Sequence, residues 1–500
     1  HSHDASANMF DPSLQEVAKQ SAETAQGLGQ LTVSANLVWT CLCAFMVMFM
    51  QAGFALVETG LTRSKNVAHT VAMNFLVYAI GIIGFWAIGF GLQMGGVGAL
   101  STFGGEAPLS QEFSISIGDK TWGLFGTTGF FLPVAMFTPA VATTFLFQMV
   151  FMDTTATIPT GALAERWKFG AFIAFSFVIA TLIYPVYANW VWGGGWLSAL
   201  GRNYGLGHGH VDFAGSSVVH MTGGVTALIC AKMIGPRIGK YNADGSPNPI
   251  PGHNIPMAVL GTFILCFGWF GFNPGSTLAA SDNRFAIVAV NTMLASASGA
   301  LAATFYAKIK FGKPDPTWMC NGMLAGLVAI TAPCAFVSPA IALFIGAVSG
   351  FLVIAAALFV ETTLRIDDPV GAVAVHCCNG TWGVLAMGLF ANGTYGEGLN
   401  GVAGPVKGLF YGDSGQFFAS LVGIGANIVY VGAMASASFF VIGRLMGGHR
   451  VSAEVELAGL DVPEMGVDGY VGDPGIDLPD EARGAGNGRD YYAAQAAGGQ

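Results

Sequence analysis

Two histidines occupy equivalent places in a stretch that occurs twice. Residues 212–224 read DFAGSSVVHMTGG and residues 368–380 read DPVGAVAVHCCNG, so one template fits both: Asp, two residues, Gly, three residues, Val-His, three residues, Gly. It sets Asp212, Gly215, Val219, His220 and Gly224 against Asp368, Gly371, Val375, His376 and Gly380. Each copy opens an apolar run long enough to cross a membrane, and an ionisable side chain in hydrocarbon marks a functional site. Two neutral imidazoles offer hydrogen bonds to a small polar solute and a path for a proton, because imidazole titrates near neutrality. A bis-His haem would need further His on the same helices, and a metal would need a third ligand. Neither is visible, so no cofactor and no metal are expected. A purely structural pair of hydrogen-bonded histidines is the competing reading.

Other residues narrow the solute. Trp192 ends one apolar run, Asp212 begins the next, and Trp269, Phe272 and Ser276 lie in WFGFNPGST at the end of a third. An aromatic face with a hydroxyl and a carboxylate near it suits a small cation. Phe147 and Phe151 are four residues apart in FLFQMVF, hence on one helix face. With Phe272, Phe151 can form an apolar constriction that a hydrated ion passes poorly. Taken singly, each aromatic has a blander use, in core packing or in an interfacial belt. Together they describe an outer cation site, an apolar gate and a passage lined by His220, His376 and Trp269. A solute able to leave a proton behind suits that order, and ammonium is one.

The elements that must position these groups follow from composition. Of 500 residues, 53% are hydrophobic and only 10% charged, against about 25% charged in soluble chains. The chain is therefore an integral membrane protein. Nothing in it suggests nucleic-acid binding, and no nucleophile elbow, phosphate loop or metal cluster suggests an enzyme. The net charge of -9 comes mostly from the termini. All eight cysteines fall inside apolar runs and read as small packing residues. The first residue is His, which fits a removed signal peptide or a trimmed chain.

A membrane helix needs about 20 mainly apolar residues. Eleven such runs occur, near 34–60, 67–95, 136–162, 169–192, 214–234, 255–273, 284–307, 318–336, 338–361, 370–391 and 415–445. An all-α membrane domain is thus expected over 31–446, after an extracytoplasmic lead at 1–30 and before a cytoplasmic tail at 447–500 with almost no helical period. Alternate connections carry thirteen and five Lys and Arg, which by the positive-inside rule puts the N-terminus outside and the C-terminus inside. The two copies of the motif then open helices 5 and 10 from opposite sides. The expected architecture is an inverted 5+5 repeat, as in many transporters, with an eleventh helix outside it. If Asp212 and Asp368 cap their helices, each His lies about 12 Å in from its own face of a core about 30 Å thick. Their rings then meet near the middle.

The chain resembles the ammonium transporter family (Amt/Mep, distantly Rh) over about residues 34–470. The resemblance is carried by MQAGFALVETGLTRSKN (50–66), FQMVF with GALAER (147–166), VWGGGWL (191–197), DFAGSSVVH (212–220), WFGFNPGS (269–276), DDPVGAVAVH (367–376) and RVSAEVELAGLDVPEMGVDGY (450–470). It implies that Phe147, Trp192 and Ser276 form the external ammonium site, with Asp212 the acidic residue beneath it. It likewise implies that Phe151 and Phe272 are the stacked gate and that His220 and His376 are the twin-His pair. Further implications are a homotrimer with one pore per subunit, a multi-pass place in the cell membrane, deprotonation of ammonium in transit, and a tail that meets a PII-type regulatory protein. An ammonium sensor coupled to a signalling output is the alternative within the family. A general urea or water channel has no use for a Trp-Asp cation trap.

Some residues depart from the pattern. The stretch RNYGLGHGH is longer than in compact members, and His208 and His210 are expected to be solvated loop residues. Asp153 should face away from the gate, about 200° round the helix from Phe151, in a structural hydrogen bond. Segments 97–122 and 472–500 match no motif.

Overall fold

The computed structural model describes residues 12–470. Eleven helices form its body: α1 Pro12–Leu61, α2 Ser64–Met94, α3 Pro139–Leu163, α4 Phe169–Trp192, α5 Ser216–Ile234, α6 Ile255–Thr277, α7 Arg284–Phe311, α8 Pro316–Ile330, α9 Pro339–Thr363, α10 Val373–Phe390 and α11 Ser414–Leu445. Several begin with the same device. Thr138, Asn254, Asp315 and Ser338 each accept a hydrogen bond from a backbone N–H of the first turn, and a proline follows within two residues. The side-chain oxygen satisfies an orphan donor, and proline costs nothing where no intrahelical donor is needed.

Ten of these helices are long and apolar enough to cross a membrane, and α8 is shorter, at 15 residues. The run expected over 318–336 breaks into turns after Ile330, just before Pro333. Irregular backbone at membrane depth survives only where protein encloses it, and here other helices supply partners. Ala332 N donates to Ser216 Oγ at 2.8 Å, Phe213 N to Ala332 O at 3.3 Å, and Asn291 Nδ2 to Cys334 O at 2.8 Å.

The two halves are α1–α5 and α6–α10. Their first helices cross closely at glycines: a Cβ on Gly53 would lie 2.8 Å from Leu265 Cγ, and one on Gly261 would lie 2.6 Å from Gly53 O. Small residues allow such approach in membranes. The ends of α4 and α6 and the start of α5 meet on one face, called here the vestibule face. The opposite, tail face gathers Arg166, Arg237, Asp367 and the segment after α11. Helices α5 and α10 thus start from opposite faces, as an inverted repeat requires. Least apolar and most enclosed is α3, which carries Phe147 and Phe151.

Two regions hold more order than the sequence suggested. Within 97–122 and just beyond, strands β1 (Glu112–Ile117) and β2 (Lys120–Gly126) pair antiparallel over the vestibule face. Trp122 stacks on Trp196 at 4.7 Å and donates to Tyr204 Oη at 2.8 Å. After α11, residues 450–470 cross the tail face with a short helix α12 (Ala453–Ala458). They are held by acceptors rather than by an amphipathic period: Lys65 Nζ donates to Glu456 O at 2.7 Å, His69 N to Asp461 Oδ1 at 2.9 Å, and Phe169 N to Glu464 Oε2 at 2.9 Å. Of the lead expected at 1–30, residues 12–30 are helical and continuous with the first span, so α1 begins at Pro12 rather than near 34; residues 1–11 and the tail beyond residue 470 lie outside the described residues.

Candidate functional site

The site begins with the helix that carries His220. Asp212 is its cap, and its carboxylate is saturated: Oδ1 accepts from Gly215 N and Ser216 N, both at 2.9 Å, and Oδ2 from Ser217 N at 2.7 Å, Val218 N at 3.0 Å and Ser217 Oγ at 2.6 Å. Asp368 does the same for the second copy, accepting from Gly371 N at 3.1 Å and Val373 N at 2.7 Å. Each cap needs the template's first glycine, since Gly215 and Gly371 have φ of 117° and 78°. Both histidines then fall in wide π-helical turns, Ser216–Met221 and Val373–Cys378, a geometry frequent at functional sites. The template's last glycine serves contact: a Cβ on Gly380 would lie 2.6 Å from Ser216 O, and one on Gly224 would strike Cys377 N.

These devices bring the imidazoles together, with His220 Nδ1 and His376 Nδ1 3.2 Å apart and ring centroids at 5.2 Å. One Nδ1 must carry the hydrogen and the other accept it. The pair therefore shows one bare Nε2 and one Nε2–H to whatever lies alongside. His220 Nε2 is buried without a partner among the described residues. On its flanks His220 stacks against Trp269 at 5.4 Å and Phe272 at 5.5 Å, and Trp269 is fixed by donating from Nε1 to Thr331 Oγ1 at 3.0 Å.

Toward the vestibule face, Phe151 and Phe272 stack at 4.1 Å. Phe147 lies 4.6 Å from Phe151, and Trp192 meets Phe151 edge-on at 5.9 Å. Trp192 Nε1 donates to Asp212 O at 2.7 Å, and Ser276 Oγ to Phe272 O at 2.7 Å. Trp192 and Ser276 are half-buried while Phe151 and Phe272 are buried, so the accessible aromatic surface is on the vestibule side. Toward the tail face, a cavity of about 30 Å³ touches His376, Glu58 and Asn321. Beyond it opens one of about 400 Å³ lined by Arg237, Lys240, Asp315, Glu361 and Asp368. Arg237 is paired with Asp367 at 2.8 Å and Glu165 at 2.7 Å. Burial works to raise Asp367, but the bonds from Arg237 and the nearby Arg166 charge outweigh it and hold the carboxyl below the usual range.

All nine candidate residues from the sequence fall along this one path. Other expectations change. His208 and His210 are not solvated: they are 4% and 0% exposed. The segment before Asp212 folds back under α11, where Gly423 leaves room for the His210 ring. Burial pushes His210 down to about 4, so the ring is neutral near pH 7. Because Ser217 Oγ donates to Asp212, His210 Nε2–H must donate to Ser217 Oγ, at 2.9 Å. Asp153 faces Gly81 of α2 rather than the gate, but Oδ1 has no hydrogen-bond partner among the described residues, contrary to the structural bond expected of it. Sequence reasoning passed over Glu58, 3% exposed, which accepts from Asn74 Nδ2 at 2.7 Å and Thr160 Oγ1 at 2.9 Å beside the inner cavity. A lone carboxylate in the first apolar run was the available signal.

Comparison with known proteins identifies the family. The sequence model of the Ammonium Transporter Family matches residues 38–470. The chain is 44% identical over 447 residues to a protein named ammonium transporter Amt2 from Archaeoglobus fulgidus, covering 89% of each. It is 37% identical over 457 residues to ammonium transporter Amt1 from Haloferax mediterranei, covering 88% of this chain and 81% of that one. Among solved structures, one titled Sensor Amt Protein is 35% identical with a TM-score of 0.75, covering 87% of this chain and all of the other. Candida albicans Mep2 is 25% identical with a TM-score of 0.70, covering 84% and 87%.

Proposed function

The chain belongs to the ammonium transporter family, a family of multi-pass membrane transporters and not of enzymes, and from that premise we propose how its residues move ammonium. Ammonium is taken up against the ring faces of Phe147 and Trp192 and the Ser276 hydroxyl, with the Asp212 charge beneath. Since all of Asp212's bonds go to its own helix end, it acts through its field and by holding His220, not as a ligand. The stacked Phe151 and Phe272 rings bar the hydrated ion. Ammonium gives its proton to the bare imidazole nitrogen, leaving ammonia, and ammonia continues past His220, Trp269 and His376 to the inner cavity. The proton follows, through the pair or by its own route.

The observation that carries this reading is the Nδ1 contact of His220 and His376 at 3.2 Å, directly behind the stacked gate, with His220 Nε2 left unpartnered among the described residues. A homotrimer, the N-terminus outside and C-terminus in the cytoplasm of a cell whose membrane it spans, and a PII-type protein at the tail face complete the reading. The test is current on a solid-supported membrane carrying the purified protein, with ammonium, methylammonium and potassium jumps. Ammonium-evoked current with none for potassium supports it. Tight ammonium binding without flux of charge or ammonia would make the chain a sensor instead.

A further inference from the structure

Helix α1 outruns any membrane core. Asn36 ties it to the vestibule-face loops, donating to Thr102 O at 2.9 Å and accepting from Ser281 N at 3.1 Å. Residues 12–35 therefore stand beyond that face, about 36 Å of helix at 1.5 Å per residue. Residues 15–32 are exposed throughout, and a lone helix of this length is marginal in water.

Its side chains are ordered all the same. Positions 17, 21, 24, 28, 31, 35, 38, 42, 45 and 49 alternate in steps of four and three, and all ten are exposed. Val17, Leu28 and Leu31, the large apolar residues of the fully exposed stretch 15–32, fall on this stripe, with exposures of 62%, 60% and 67%; Val33, half-buried nearer the face, does not. Glu16, Lys19 and Glu23, the charged ones, all fall off it. Thr24 lies on it but spends its hydroxyl on Gln20 O at 2.8 Å. Val38, Leu42, Phe45 and Phe49 follow Asn36 on the membrane-spanning part of α1, whereas Leu28 and Leu31 precede it, beyond the vestibule-face loops.

A repeat of 3.5 residues kept in phase is the pattern of helices wound on one another. Copies inserted in one membrane share an orientation, so their α1 helices are parallel. We infer that residues 17–35 of α1 form a parallel coiled coil with the same segment of neighbouring copies of this chain, a stalk above the vestibule face continuous with contacts at lipid depth. The inference rests on the self-assembly proposed above and adds where it is built.

The test uses the full chain in membranes, with Leu28→Cys on the stripe and Glu23→Cys off it, each oxidised and run on a denaturing gel against the unchanged protein. Native cysteines start at Cys41. On the stripe, Cα atoms fall within disulfide reach, about 7 Å or less, and off it they do not, so the Leu28→Cys protein should cross-link on the order of tenfold faster than the Glu23→Cys protein. Equal rates for the two variants, or no link through position 28 in protein whose native mass is that of an oligomer, would overturn the stalk alone. A monomeric native mass would overturn the assembly itself.

Discussion

His220 and His376 touch through one nitrogen each, so the pair holds a single hydrogen between two rings and keeps one lone pair free. Replacing His220 by Leu removes both the acceptor and the shared hydrogen, and current evoked by an ammonium jump should fall to that of protein-free liposomes. Trp192→Leu should act differently. Loss of a cation–π contact worth about 1–2 kcal/mol predicts about tenfold poorer discrimination of ammonium over potassium, with peak ammonium current changed less, as competition currents would read. Both residues were legible in the sequence for physical reasons: a duplicated imidazole in hydrocarbon cannot be incidental, and Trp192 ends a span beside Asp212. His210 was not legible, because the space it enters is made by Gly423 more than 200 residues away, and no local pattern carries that information.

Caps and turns decide whether those residues meet. Asp212 closes four backbone N–H groups at the head of α5, so Asp212→Ala should lower stability by about 2 kcal/mol, the upper range for a lost cap, seen as a drop in Tm of the detergent-solubilised protein. On the β1–β2 hairpin, burial pushes the Glu112 carboxyl up to about 7 against the hydrogen bond from Asn189. A raised acid costs the folded state wherever the unfolded chain has lost its proton and the folded carboxyl still holds it. Stability should therefore fall as pH rises from about 4.5 to about 7, and Glu112→Gln should flatten that part of the Tm profile. Some spans were read nearly to the residue, α11 for example, but α1 begins at Pro12, well before the expected 34, because its lead is polar and carries no apolar run. The shortness of α8 was not, because the turn after Ile330 is apolar and reads as more helix, while its backbone is satisfied by Ser216 and Asn291 from other helices. The hairpin was signalled by Phe113, Ile115 and Ile117 alternating with polar residues, a strand's period that a search for long apolar runs passes over, whereas the six residues of α12 are too few to show a helical period.

At the scale of the whole molecule, the halves are registered by glycine. A side chain at Gly224 would meet the backbone of Cys377, so Gly224→Val should separate α5 from α10 and move the histidines apart. Overpacking costs typically about 1–3 kcal/mol, and the expected outcome is a lower Tm together with lost ammonium current; a variant with normal current would refute the register argument. The inverted plan was legible because the motif repeats with opposite polarity, whereas the binding of residues 450–470 across the tail face depends on contacts with loops far away in sequence. One consequence remains in the Phe151–Phe272 stack. At 4.1 Å the rings are in stacking contact, so if they are the gate proposed above, passage is metered by swings of an aromatic door rather than by diffusion along a standing tube. Flux should then be counted in discrete admissions, steeply dependent on temperature, and it should saturate at modest concentration as a turnstile does.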